Sequence, residues 1–276
     1  MKRILISVVL AAICLSSFGQ KQEEKKKFQI KGQPIVTVFA NYHAGIGNAN
    51  KESGFALDRA YLGYQFSLTE KLSGKVVFDM GSTKVSGSDL ERVAYIKNAM
   101  LSWKTGNFTL DFGLIGLEQF NVQEKFWGYR YIMKSFQDEY KFGSSADMGI
   151  LGKYKFTKWL SADITISNGE GYKKLNGDNK YRYAVGATIL PVKNLTIRTY
   201  YDLASKNIEG DETKDQQNLA FFAGYKHELF SIGAEYNQMY NTKFKEDNDQ
   251  SGFSVYSTIK LEDQFNLFGR YDNLGS

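Results

Sequence analysis

From residue 35 to residue 272 the chain repeats one pattern, in which apolar and polar side chains alternate with a period of two. Phe108, Leu110, Phe112 and Leu114 are interleaved with Thr109, Asp111 and Gly113, and Leu160, Ala162, Ile164 and Ile166 with Ser161, Asp163 and Thr165. That period belongs to a β-strand with one apolar face, not to a helix. Thirteen segments carry it, near 35–44, 56–68, 72–80, 93–104, 108–116, 148–157, 160–168, 181–190, 195–204, 218–227, 229–240, 252–261 and 265–272. Soluble strands average about 5–6 residues, whereas a tilted strand needs about 9–11 to cross the hydrocarbon of a bilayer. Most of these segments have the membrane-crossing length.

Short turns lie near Thr69, Gly106, Lys158, Val192, Glu228 and Asp263, and longer polar loops alternate with them. Tight turns on one side and long loops on the other are the habit of outer-membrane barrels. Consecutive turn centres are about 35 residues apart, apart from one interval that is about 17 residues longer, so each hairpin is one unit of a structural repeat. Pro34 precedes the first segment and Pro191 falls in a short turn. A closed barrel has no free edge for a proline, so this placement is expected.

Twelve of the thirteen strands have one face free of charge through the middle. Leu62, Tyr64, Phe66 and Leu68 form one such face; Tyr183, Val185, Ala187 and Ile189 form another. The opposite faces carry the basic residues Arg59, Lys75, Lys153, Lys155, Arg182, Arg198, Lys226, Lys260 and Arg270, which are the candidate pore-lining cations. They also carry the acids Asp79, Asp111, Asp163, Asp202, Glu235 and Asp272. A charge at the bilayer midplane of a barrel wall costs about 2–4 kcal/mol, which fixes the phase of each strand. Segment 93–104 is the exception, because Lys97 shares a face with Tyr95, Leu101 and Trp103. A bulge would reconcile it, but the sequence does not place one. Aromatic residues gather toward strand ends, as the two interfacial girdles of a barrel require.

The first residues give an address. Lys2 and Arg3 precede the apolar run Ile4 to Ile13, and Ser16, Ser17 and Gly19 lead to a cut before Gln20. This is the order of a secretory signal peptide over 1–19, followed by a charged periplasmic segment over 20–33 and the barrel over 34–276. Ile13 stands where a lipobox wants a small residue, so Cys14 favours ordinary cleavage over a lipid anchor. Cleavage removes that single cysteine, and with it any disulfide or thiol chemistry. It also removes two of the 35 basic residues against 30 acidic ones, leaving a balance too even for nucleic-acid binding.

The expectation is therefore an all-β, antiparallel, up-and-down transmembrane barrel in contact with outer-membrane lipid of a Gram-negative cell. Thirteen strands is an odd number, and single-chain bacterial barrels have even counts. The sequence ends at Asn273, Leu274, Gly275 and Ser276, without a terminal aromatic strand. Both facts lead to the expectation of a missing C-terminal portion and of 14–16 strands in the complete barrel. Residues 27–31 are the alternative source of an extra strand.

Residues 117–147 form by far the longest loop, and a very aromatic one. So many large rings are not expected in water, and the loop is too aromatic for disorder. Folded into the lumen, it would narrow a pore with Phe126, Trp127, Tyr129, Arg130 and Lys134. A lid over the outer mouth and a subunit contact are the alternatives.

Lys97-Asn98-Ala99, the run Gln123 to Tyr131, the run Tyr140 to Asp147 and the earlier Asp58 to Leu62 resemble the phosphate-selective porin O and P family. The resemblance covers most of the mature chain and is strongest over 56–168. It implies a 16-stranded barrel, a homotrimer and passage of anions, phosphate among them. It does not transfer phosphate selectivity. Characterised members rely on an arginine ladder and a lysine cluster, whereas here nine basic and six acidic lumen residues are spread over many strands.

Other chemistry is weakly represented. His43 and His227 lie on separate strands, which supports neither a triad nor a metal site. Gly45-Ile46-Gly47 lacks the third glycine of a dinucleotide motif. The acidic stretches 209–215 and 246–249 lack the ligand spacing of a calcium loop. No catalytic residue, metal or cofactor is expected. The functional expectation is a porin passing small hydrophilic solutes by diffusion; the alternative is a barrel with a structural, adhesin or enzymatic role and no open pore.

Overall fold

The structure, a computed structural model, describes residues 31–44, 53–82, 92–175, 179–206, 213–262 and 265–275. The signal-peptide expectation, most of segment 20–33, the Gly45-Ile46-Gly47 motif and part of the acidic stretch 209–215 lie outside those residues. The remaining chain forms a single antiparallel sheet of thirteen strands in strict sequence order.

The strands are β1 (Lys31–Ala44), β2 (Ser53–Ser67), β3 (Leu72–Ser82), β4 (Arg92–Thr105), β5 (Phe108–Gly116), β6 (Ala146–Lys155) and β7 (Leu160–Ser167). They continue as β8 (Arg182–Ile189), β9 (Leu195–Ala204), β10 (Gln216–Lys226), β11 (Phe230–Tyr240), β12 (Gln250–Lys260) and β13 (Asn266–Gly275). All thirteen expected segments are present. Two have the expected bounds, β5 and β9, and the others shift by a few residues at their ends.

The orientation of the faces is the reverse of a soluble protein. Phe112 is 59% exposed and Ile164 63%, while the neighbouring Asp111 and Asp163 are 5% and 6% exposed. Apolar side chains stand outward and charge points inward, the arrangement that a lipid surround and a polar interior together demand. Among the described residues no helix is long and apolar enough to cross a membrane.

The short turns repeat one chemistry. Thr69 Oγ1 accepts hydrogen bonds from the Lys71 and Leu72 N–H groups at 3.2 and 2.9 Å. Thr157 Oγ1 does the same for Trp159 and Leu160 at 3.2 and 3.0 Å. A threonine side chain that caps its own turn satisfies donors the ladder leaves free, so the spacing seen in the sequence has a local cause.

One expectation is corrected here, and one exception is accounted for. Pro34 does not precede β1; it lies inside it, opposite Tyr64. Among the described residues β1 pairs only with β2, and a strand with one unpaired side tolerates a residue that lacks an N–H. The described part of β1 starts at Lys31. The exception in segment 93–104 is accounted for by a bulge in β4. Val77 pairs with Asn98 and Phe78 with Ile96, so Lys97 is the extra residue of a β-bulge. The bulge shifts the phase of the strand, which lets Ile96, Leu101 and Trp103 all stand outward. A second bulge makes Asp58 the extra residue of β2, since Phe39 pairs with Arg59 and Ala40 with Leu57.

Residues 117–145 are not plain loop. They contain helix α1 (Glu118–Trp127) and the single turn α2 (Phe136–Glu139). Gly128, at φ 79°, ends α1 in the left-handed region, and its N–H donates to the Glu124 carbonyl, a helix end that favours glycine. Glu118 in the first turn and Lys125 in the last complement the helix dipole.

Candidate functional site

The inner face is crossed by segment 117–145. Phe120 packs with Ile115 and Leu151 near β5 and β6. Phe126 meets Phe222 of β10 at 5.1 Å between ring centroids, and Trp127 meets Tyr256 of β12 at 5.0 Å. Tyr129 stacks on Phe268 of β13 at 4.4 Å. Polar anchors accompany the rings. Gln137 donates to Asn237 of β11, Asn218 of β10 donates to the Phe142 carbonyl at 2.8 Å, and Gln250 of β12 donates to the Tyr140 carbonyl at 2.9 Å. The aromatic richness of the segment is thus explained by burial against the inner wall.

The four inner arginines are all paired. Arg59 lies 3.3 Å from Asp79, Arg182 pairs with Asp202, Arg198 lies 2.7 Å from Asp163, and Arg270 lies 2.8 Å from Asp272. Arg198 and Arg182 are buried. Arg198 also donates to Gln119 of α1 at 2.8 Å, and Arg270 donates to the Lys134 carbonyl at 2.6 Å. These arginines brace the wall and clasp the inner segment, and each is neutralised by its partner.

The lysines are distributed differently. Lys153 lies between Asp111 and Glu118, at 3.3 and 3.5 Å. Lys75 and Lys97 repel one another, and among the described residues neither is within ion-pair distance of a carboxylate. Lys97 Nζ donates to the Tyr61 hydroxyl at 3.0 Å. A cavity of about 320 Å³ gathers Tyr61, Lys75, Lys97, Asn98, Asp111, Asn121, Glu124 and Lys153. A smaller one of about 220 Å³ shares Lys75, Asp111 and Lys153 with it. The expected cations Lys155, Lys226 and Lys260 end β6, β10 and β12 at the short-turn side, away from this cluster.

Of the expected constriction residues, Phe126 and Trp127 are buried against the wall. Arg130 pairs within its own segment, with Glu124 at 3.0 Å and Asp138 at 3.3 Å. Arg130 and Lys134 share a cavity of about 290 Å³ with Phe39, Asp58, Arg59 and Glu139. The two histidines make only local contacts: His43 meets Asn41, and His227 Nδ1 accepts from the Leu229 N–H at 3.3 Å.

A second inward segment was not foreseen. Asp147 at the start of β6 accepts the N–H groups of Met148, Gly169 and Gly171 at 2.8, 2.7 and 3.2 Å. It thereby pins the chain after β7. From there the Tyr172 hydroxyl reaches Asp79 of β3 at 3.4 Å, and its ring lies 5.8 Å from that of Tyr95. Burial, and then the Asp79 charge, push the Tyr172 phenol well above its ordinary value. The sequence leaves the facing of Lys97 open and gives no inner-face expectation for Tyr61 or Tyr172. Tyr61 carries a signal, two positions from Arg59 on the charged face.

No protein-family model matches the chain, and no curated protein matches its sequence. Solved structures do resemble it. A loop L8 deletion mutant of OmpT, an outer membrane protein of Vibrio cholerae, is 16% identical, with a TM-score of 0.58 over 89% of this chain and 81% of that one. In-vitro folded OmpT of the same organism is 15% identical, with a TM-score of 0.55 over 91% and 78%. Salmonella typhi OmpF, in complex with daunomycin, is 13% identical, with a TM-score of 0.47 over 88% and 89%. The two OmpT structures show the fold to be that of the outer-membrane β-barrels.

Proposed function

We propose that this chain is a porin of a Gram-negative outer membrane, through which small hydrophilic solutes diffuse passively, with anions such as phosphate favoured over cations. The observation that carries this reading is the cavity holding Lys75, Lys97 and Lys153 at the side of the inner segment. Because the inner arginines are each matched by a carboxylate and Lys153 by two, the excess positive charge at this cavity rests on Lys75 and Lys97. A ring of like charge sets the preference of a pore. The apolar outer face is what outer-membrane lipid would cover, and the homotrimer implied by the family resemblance belongs to the same proposal.

The test is single-channel conductance of the refolded chain in planar bilayers, with the reversal potential read under a salt gradient. An open pore with a reversal potential of anionic sign supports the reading. The dense packing of residues 117–145 against β9 to β13 favours a second reading, a plugged barrel with a structural or adhesin role. Absence of any current would select it, and turnover of a substrate without current would select an enzyme.

A further inference from the structure

A separate cavity of about 580 Å³ lies toward the short turns, between α1 and the ends of β8, β9 and β10. Its size is that of a small-molecule pocket, roughly 300–1,000 Å³, and exceeds what a small inorganic ion fills. One wall is a single stripe of α1. Glu118, Asn121, Val122 and Lys125 follow the i, i+3, i+4, i+7 spacing that puts residues on one helix face, and all four line the cavity. The other stripe of α1, with Gln119, Phe120, Gln123 and Trp127, is buried.

Charge and apolar carbon are both present. The Lys226 ammonium sits 4.8 Å from the centre of the Phe126 ring and is repelled by Lys125. Among the described residues neither lysine is within ion-pair distance of a carboxylate. The one acid in the lining, Glu118, is turned toward Lys153 at 3.5 Å. Thr188, Asn194 and Thr196 supply a polar rim, and Val122 and Phe126 an apolar side.

We infer that this cavity is a binding station for an organic monoanion, with its carboxylate between Lys125 and Lys226 and a ring-sized apolar body against Val122 and Phe126. Two ammonium groups that face no carboxylate can each donate a charge-assisted hydrogen bond to a bound carboxylate. Inorganic phosphate would leave the apolar side of the cavity unused. The station rests on the diffusion reading, since it lies on the same inner face.

The test is titration calorimetry on the full chain in detergent micelles, with benzoate as probe and acetate, inorganic phosphate and benzyl alcohol as comparisons. Benzoate is expected to bind more tightly than each comparison. The double variant Lys125→Gln with Lys226→Gln is expected to weaken benzoate by about tenfold or more, the loss of a charged hydrogen bond. Val122→Asn is expected to weaken benzoate and leave acetate unchanged. Heat-shifted gel mobility establishes that each variant is folded. Phosphate or acetate matching benzoate, or a double variant that binds benzoate unchanged, would overturn the station. Because no current is read, the two proposals fail separately: a chain that conducts but does not bind benzoate sinks the station, and one that binds benzoate but carries no current sinks the pore.

Discussion

Arg198 of β9 reaches across Gly186 of β8 to make a two-pronged contact with Asp163 of β7, at 2.7 and 3.0 Å. The pair spans three strands because residue 186 has no side chain. A Cβ there would stand 2.9 Å from both the guanidinium carbon and a carboxylate oxygen. Arg198 is 1% exposed, so its charge depends on that partner. Asp163→Asn is therefore expected to lower stability by about 3–5 kcal/mol, the consequence of leaving a buried charge uncompensated. Arg198→Met combined with Asp163→Leu should be far milder, because no charge is left unpaired. Thermal unfolding in detergent, followed by circular dichroism, compares the two.

Lys75 and Lys97 carry the second prediction. A unit charge about 8 Å from a passing ion contributes ~0.5 kcal/mol in water, a factor of about two for each ion; anion and cation shift in opposite directions, so their ratio changes about fivefold. Lys75→Gln and Lys97→Gln should each reduce the anion-to-cation ratio about fivefold, and the double variant by about 25-fold. Reversal potentials under a salt gradient read this directly. The double variant Arg59→Gln with Asp79→Asn is expected to do less, because it removes one charge of each sign from a pair 3.3 Å apart. An equal effect of that double variant would show that the Arg59–Asp79 pair sets the field after all.

The strands were legible because their cause is local. Alternation along β5 or β7 needs only the pleat and two solvents, and the Thr69 and Thr157 turns satisfy their own donors. Pro34 and Lys97 were misplaced or unresolved because their positions depend on neighbours. Pro34 is tolerated by the unpaired side of β1, and the Lys97 bulge is defined by pairing with β3. Helix α1 had a readable 3.6-residue pattern in Phe120, Gln123 and Trp127, masked by the dyad repeat on either side. The matching of arginines to carboxylates was readable only where it is local, as for Arg270 and Asp272 two positions apart on β13; Arg198 and Asp163 sit on different strands and meet only over Gly186.

The outer face makes a third prediction. Val185 of β8 is 49% exposed and flanked outward by Tyr183. Val185→Arg is expected to destabilise the barrel in lipid by about 2–4 kcal/mol if the residue sits at mid-membrane. Gln65→Lys, on the inner face beside Ser73 and Lys75, should change stability by much less. Urea titration of folding into lipid vesicles measures both. Equal losses would contradict the assignment of faces.

Trp127 ties the inner segment to the wall, and its removal should separate the two. Its ring contacts Tyr256 at 5.0 Å and Phe268 at 6.1 Å, Arg270 lies 5.1 Å from its centre, and its indole N–H donates to the Met133 carbonyl at 2.8 Å. The strand ladder does not run through it. Trp127→Ala removes about 3–5 kcal/mol of packing, chiefly between residues 117–145 and the inner faces of β12 and β13. The expected outcome is an unchanged barrel melt, new protease cleavage between residues 117 and 145, and faster liposome swelling with larger sugars. A barrel melt that falls together with the appearance of cleavage would mean that the segment and the wall fold as one unit, so that the segment cannot act as a separate constriction.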